Sequence, residues 1–188
     1  MRFFEKLMLS RQIKFDDGKA EILNQRVVFI PGGFLGEYTL EIMKKPESIT
    51  LIYNSLKEGA GSFGKNIEKE YKNTLTDYSK LIKEVSDLAG WGITTFEFLN
   101  IEEGAIMSVE NTPVGSYLKG RVDSPCDHIM RGMVAGIASI KFGKNLDVIE
   151  IECIAMGDKK CKFVIGELDK LKAKFPEVYK IQIKEGID

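Results

Sequence analysis

Three cysteines carry the most legible chemistry of this 188-residue sequence. Cys153 and Cys161 close the run C-I-A-M-G-D-K-K-C, and Cys126 stands earlier, in S-P-C-D-H. A turn at Gly157-Asp158 would fold two strands back on each other. Residues placed nearly symmetrically about such a turn face one another, with Cβ atoms about 5 Å apart. Two thiolates at that separation can share one zinc ion, whose Zn–S bonds are about 2.3 Å. Cys126 is expected at the N-terminal end of a helix, where the dipole and free N–H groups favour the thiolate. Zinc requires a fourth ligand, and Glu150, Glu152, Asp127, His128 and Asp158 are all within reach in sequence. Strict alternation turns Glu150 and Glu152 away from Cys153, so either could join only through a bulge or an edge position. The same three cysteines also read as core residues, since free Cys is among the most buried types. The spacing is not the C-x-x-C pair of the usual structural sites, and both readings stay open on it.

The elements that must position these residues follow from periodicity. Cys126 opens a helical stretch to about Lys141, with Ile129, Met133, Ile137 and Ile140 on one face. Its small residues (Gly132, Ala135, Gly136, Ala138, Ser139) would let it lie close against a sheet. Leu146–Ala155 and Cys161–Ile165 read as the two strands of the hairpin. Upstream, Trp91–Ile101 alternates like a strand, Glu102-Glu103-Gly104 turns, and Ala105–Val109 returns. Residues 111–123 read as loop. Residues 19–30 read as a strand pair with a turn at Asn24-Gln25, after the turn residues Asp16-Asp17-Gly18. Phe34–Lys45 suits a short helix before Pro46. Residues 48–73 carry helical spacing through Gly59, Gly61 and Gly64, each costing about 1 kcal/mol against Ala in a helix interior. The apolar period resumes in phase after Gly64, which points to one helix held by close packing. Thr76-Asp77 opens another helix, ended by Gly90, and Leu168–Phe175 forms a last short one, ended by Pro176. The class is α+β: an antiparallel sheet with helices packed on one face. Residues 1–45 form an N-terminal strand-and-helix extension, and 46–188 the main domain.

Composition sets limits on function. The 27 basic and 28 acidic residues leave a net charge of −1, so no basic field exists to attract nucleic acid. The lysines near the C-terminus (Lys170, Lys172, Lys174, Lys180, Lys184) are interleaved with acids, as on a solvated helix face. No run of about 18 apolar residues implies a membrane span. Met1–Leu7 lacks the apolar stretch of a signal peptide. The expectation is a cytoplasmic protein whose thiols stay reduced.

Other chemistry is thinner. Pro31–Gly36 (PGGFLG) lacks the basic residue and spacing of a phosphate loop. Cys126 and His128, two positions apart on a helix, would point in different directions and make a poor nucleophile–base pair. No nucleotide-cofactor motif and no catalytic constellation is found, so the chain reads as a binding module rather than an enzyme. Trp91, Phe96, Met107, Met130 and Met133, with Phe63 and Phe98, could line an apolar ligand pocket, although each alone reads equally as core.

The stretch Ser124–Ile165 adds a resemblance. A cysteine-led helix with R-G-x-x-x-G is followed by E-x-x-C-x-x-x-G-D-x-x-C-x-F. This ordered pattern resembles the 4-vinyl reductase, or hydrocarbon-binding, domain family, over roughly Ile49–Ile165. The resemblance implies a fold like that of the small α+β subunits of the TRAPP vesicle-tethering complex, with an apolar cavity between helices and sheet. It implies a structural zinc held by Cys126, Glu150, Cys153 and Cys161, and therefore an irregular strand near Glu150–Cys153. It also implies binding of a small hydrocarbon or aromatic ligand in a sensory or carrier role. The alternatives are a protein-interaction adaptor, as in the dimeric tethering subunits, or a tetrapyrrole-related reductase. A homodimer is expected on the same ground. The chain departs from the aromatic-sensing activators of this family: their phenol-binding His and Trp pair has no secure match, since the only candidates are His128 and Trp91.

Overall fold

The computed structural model describes residues 9, 12–71 and 74–183. Met1–Leu7, Lys184 and the last two positions of the 48–73 helical stretch lie outside them. The chain forms two compact units, residues 1–31 and 32–188.

In the first unit, β1 (Ile13–Asp16), β2 (Lys19–Ile22) and β3 (Gln25–Val27) make an antiparallel meander in that order. Asp17-Gly18 turns the first hairpin with both residues at positive φ. The second turn is Leu23-Asn24, also at positive φ (53° and 59°), one residue earlier than the expected Asn24-Gln25. Two central residues of positive φ match the twist of the flanking strands, and the register Ile22↔Gln25 fixes that pair at the corner.

The second unit carries α1 (Gly32–Met43), α2 (Pro46–Tyr71), α3 (Leu75–Leu88), β4 (Ile93–Asn100), β5 (Gly104–Glu110), α4 (Pro113–Tyr117), α5 (His128–Phe142), β6 (Asp147–Glu152), a 3-10 turn (Ile154–Met156), β7 (Cys161–Gly166), α6 (Leu168–Lys174) and α7 (Pro176–Gln182). The sheet is antiparallel throughout, in the order β4-β5-β7-β6. One face presents Met107, Val109, Val148, Phe163 and Ile165 to the main core beneath α5. The alternate residues Ile149 and Val164 pack on the other side with Leu171 of α6. The short C-terminal helices thus cover part of the face the helices were expected to leave bare.

Two helices missing from the sequence reading, α4 and α7, both begin with Pro at their first position. Proline's fixed φ suits that place, where no intrahelical donor is lost. For α4 the preceding Thr112 completes the start: its side chain accepts the Gly115 N–H at 3.2 Å.

α2 runs unbroken through its three glycines. Gly61 and Gly64 lie against α5, and the closest contact is at Gly136 on the facing helix. A Cβ at Gly136 would stand 2.1 Å from the Lys57 carbonyl oxygen, and one at Gly132 2.7 Å from that of Tyr53. These small residues therefore serve a helix–helix crossing, not the expected contact with the sheet. Ala135 and Ala138 are the members of the set that enter the core over the sheet.

Candidate metal centre

The expected hairpin does not form as a simple ladder. β6 and β7 pair from Asp147↔Gly166 to Glu152↔Lys162, with a register shift between Glu150 and Glu152. Ile151 is the extra residue of a bulge, which breaks the alternation that would turn Glu150 away from Cys153. Beyond Glu152 the chain enters the 3-10 turn, so Cys153 and Cys161 are not cross-strand partners. Cys161 pairs instead with Val109 of β5. The turn is tied at Cys153: its carbonyl accepts from Met156 N–H (3.0 Å) and Asp158 N–H (3.2 Å). Its own N–H donates to Asp158 Oδ2 at 2.7 Å. Gly157 closes the turn at φ 106°, a region open chiefly to glycine. The Ile154 N–H then points at Cys161 Sγ, 3.4 Å away.

Cys126 stands two residues before α5, whose N-cap is Asp127. Its thiol is thus not on the first helical turn, as expected, but on the loop leading in. The loop is held because the Cys126 carbonyl accepts the His128 N–H at 2.8 Å.

These elements bring the three cysteines and Glu150 together. Cys126 Sγ and Cys153 Sγ are 3.8 Å apart. One ligand atom each of Glu150, Cys153 and Cys161 lies within 4.8 Å of the others. All four residues are fully buried. Glu150 Oε2 accepts the Asp127 N–H at 2.9 Å, while Oε1 has no hydrogen-bond partner among the described residues. Thr112 Oγ1, which caps α4, lies 3.5 Å from Cys161 Sγ. Glu152 instead faces outward and pairs with Lys162 at 2.6 Å, and Asp158 is spent on the turn. His128 directs Nδ1 to Arg131 at 2.9 Å.

The electrostatics are those of buried acids crowded together, which the nearby Arg131 guanidinium does not offset. Burial, with Asp127 and Cys153 nearby, pushes the Glu150 carboxyl well above its ordinary value. Burial also raises the Asp127 carboxyl to about 7. The Cys126 and Cys161 thiols, each hydrogen-bonded to Cys153 and buried, are pushed up. Those same bonds hold the Cys153 thiol down, at about 2. One sulfur ionises at the expense of its neighbours; a divalent cation would let all of them do so. The soft sulfur donors and the unpartnered Glu150 Oε1 fit such an ion, and this buried Glu-Cys-Cys group can hold a metal.

Residues 106–167, from β5 to the end of β7, match the family model of the 4-vinyl reductase domain. That segment, a third of the chain, is similar to the 4-vinyl reductase domain. The matched segment contains all four of the clustered residues. Two uncharacterized proteins of Methanocaldococcus jannaschii are similar. MJ1460 is 26% identical over 91% of this chain and 99% of its own length. MJ0150 is 22% identical over 58% of this chain, and the match spans only 64% of that protein. Among solved structures, the phenol-responsive sensory domain of the transcription activator PoxR, with phenol, superposes with a TM-score of 0.74. It is 15% identical over 94% of this chain and 95% of that one. A vinyl-4-reductase family protein from M. jannaschii gives a TM-score of 0.51 at 24% identity, over 89% and 98% of the two chains. At these identities the superpositions establish the shared α+β fold.

The second unit also holds a pocket between α3, α5 and the inner face of the sheet. Its volume is about 50 Å³, and it is open on one side. Of the expected lining residues, Phe96 and Met107 are there, joined by Leu99, Ile137 and Phe142. Met130 is instead buried in the core, Trp91 packs half-buried against that core, and Met133 is half-buried on α5. Sequence reading missed Tyr78 of α3, which lines the pocket. It also missed the buried residues Arg131 and Gln182, which brace the elements around the cysteine cluster. Arg131 stands in the R-G-x-x-x-G pattern, but nothing local marks Gln182.

Proposed function

We propose that this chain carries a 4-vinyl reductase domain that binds a small apolar or aromatic molecule, in a sensory or carrier role, and is braced by one structural zinc ion held by Cys126, Glu150, Cys153 and Cys161. The pocket between α3, α5 and the sheet carries the first part of this reading. PoxR's sensory domain, of the same fold, is a phenol-responsive one. The 3.8 Å separation of Cys126 and Cys153 carries the second: two sulfurs on one tetrahedral zinc stand about 3.8 Å apart, given Zn–S bonds of about 2.3 Å. Four protein ligands would leave no open coordination position, so the metal would hold structure and not substrate. It would clamp the loop before α5 to β6 and β7, while the C-terminal half of the same helix walls the pocket.

The test is native mass spectrometry of the purified chain with metal analysis. One zinc per chain and a bound or added small aromatic support the reading. A metal-free protein with an unchanged melting temperature overturns the zinc, and no binding of any small aromatic overturns the ligand role.

The pocket volume favours a second reading. About 50 Å³ is well below the roughly 300 Å³ at which pockets for larger ligands begin. In that reading the domain is a homodimeric interaction module, and its exposed apolar side chains Phe34 and Tyr38, one turn apart on α1, belong to a contact surface. A monomer at all concentrations in sedimentation velocity counts against it.

A further inference from the structure

We infer that Thr112 belongs to the metal centre: its hydroxyl donates a hydrogen bond to the Cys161 sulfur and helps that sulfur ligate as a thiolate. This rests on the zinc reading above and adds to it a positioning residue outside the four ligands.

The Thr112 hydroxyl meets two demands at once. One lone pair accepts the Gly115 N–H at 3.2 Å, which starts α4. The proton stays free, and Cys161 Sγ stands 3.5 Å from Oγ1. Between a hydroxyl and a thiol either atom could donate. A sulfur that ligates a metal has lost its proton, so only the hydroxyl can donate there. Thr112 is fully buried, and water does not compete for that proton. The Asp127 carboxyl is also near Thr112, but neither of its oxygens has a hydrogen-bond partner among the described residues.

The helix is shaped for this approach. A Cβ at Gly115 would stand 2.6 Å from Thr112 Oγ1 and 3.2 Å from Cys161 Sγ. Gly115 is not among the glycines of positive φ, so backbone conformation does not ask for it. The close meeting of hydroxyl and sulfur does.

Charge gives the bond its purpose. Three thiolates and one carboxylate carry four negative charges, and a zinc ion carries two positive ones. The site, with all four ligands fully buried, keeps the excess out of water. Hydrogen bonds donated to the sulfurs spread that excess. Cys161 receives two: the Ile154 N–H at 3.4 Å, from the 3-10 turn, and the Thr112 hydroxyl, from the start of α4. Aspartate would cap α4 as well as threonine does. It would bring no proton for the sulfur and one more negative charge.

The experiment loads the full chain with cobalt(II), a zinc substitute whose sulfur-to-metal charge-transfer band reports electron density on the sulfurs. The unmodified chain is compared with Thr112→Val and Thr112→Ser, and zinc affinity is read by chelator competition. Losing a donor raises the energy of the sulfur electrons. The Thr112→Val band is therefore expected at longer wavelength, with zinc bound about tenfold more weakly, equivalent to about 1.4 kcal/mol. Thr112→Ser keeps the hydroxyl and is expected to match the unmodified chain in both. An unmoved band in Thr112→Val overturns the inference even where affinity falls, because loss of a helix cap alone leaves the sulfurs unchanged. Where Thr112→Val does not fold, Gly115→Ala takes its place: the new Cβ displaces the hydroxyl, while alanine favours the helix. The same shift is expected, and an unmoved band overturns the inference equally. If the unmodified chain shows no cobalt–sulfur band, the zinc reading itself fails. If it shows one that ignores the substitutions, only the assignment to Thr112 fails.

Discussion

The side-chain amide of Gln182 closes both backbone hydrogen bonds of Glu150. Glu150 N–H donates to Gln182 Oε1 at 2.8 Å, and Gln182 Nε2 donates to the Glu150 carbonyl at 2.7 Å. β6 is the edge of the sheet, so one side chain at the end of α7 acts there as a neighbouring strand would. It does so at the residue proposed as the carboxylate ligand, next to the bulge that turns it inward. Gln182→Ala is expected to weaken zinc binding by about tenfold, as loss of supporting bonds around a ligand does. It should also cost about 1–3 kcal/mol of stability through the unpaired backbone groups. Competition against a chromophoric chelator measures the first and denaturant unfolding the second. Unchanged zinc affinity would show that Glu150 is held by the bulge alone.

Metal removal should be severe and dependent on pH. The cluster presents three thiols and a carboxyl, and each must lose its proton to ligate. Zinc affinity is therefore expected to fall as pH falls, by about tenfold or more for each pH unit near neutrality. Because the unfolded chain lacks the preformed site, the melting temperature of the zinc-bound protein should follow the same trend. Isothermal titration in buffers of different ionisation enthalpy counts the protons released. Release of fewer than one proton per zinc would contradict ligation by these thiols. Cys161→Ser should abolish tight binding, whereas Glu152→Gln, on the outward side of the bulge, should not.

The parts of this molecule legible in its sequence are those set by local pattern. Helical period carried α2 through Gly59, Gly61 and Gly64, and alternation marked β4 and β5. The cysteines announced a cluster, but the way they meet did not follow from alternation, because a bulge at Ile151 and a 3-10 turn at Ile154–Met156 replace the regular hairpin. Such irregularities depend on tertiary partners such as Gln182 and Asp158, which no window of neighbouring residues reveals. The same holds for the pocket. Phe96 and Met107 were expected there, yet the wall opposite is α3, which no local pattern marks as part of a pocket.

Two glycine substitutions separate close packing from simple propensity. Gly136→Ala would place its Cβ 2.1 Å from the Lys57 carbonyl and 2.8 Å from the Gly61 nitrogen, both backbone atoms that cannot rotate away. α2 and α5 must part, and a loss of about 3 kcal/mol is expected, at the upper end of overpacking effects. Gly59→Ala meets nothing within 4 Å in the exposed middle of α2 and should stabilise by about 1 kcal/mol. Chemical denaturation of the two variants checks both signs. Equal effects would mean that the two helices do not cross at Gly136.

Arg131 should resist even its closest replacement. It is fully buried and fans out in three directions: Nε to the Val148 carbonyl (3.0 Å), Nη1 to His128 Nδ1 (2.9 Å) and Nη2 to the Gln182 carbonyl (3.1 Å). Its guanidinium also lies 4.9 Å from the centroid of the Tyr53 ring, on α2. One planar fork thus joins α2, α5, β6 and α7 beside the cysteine cluster. A lysine ammonium is a point donor and cannot span these acceptors at once. Arg131→Lys is therefore expected to lose about 3 kcal/mol, nearly as much as Arg131→Met, because either change strands buried carbonyls. Guanidinium unfolding midpoints with unchanged slopes measure the loss. If Arg131→Lys came within about 0.5 kcal/mol of the unmodified chain, the charge and not the fork would be what the site requires.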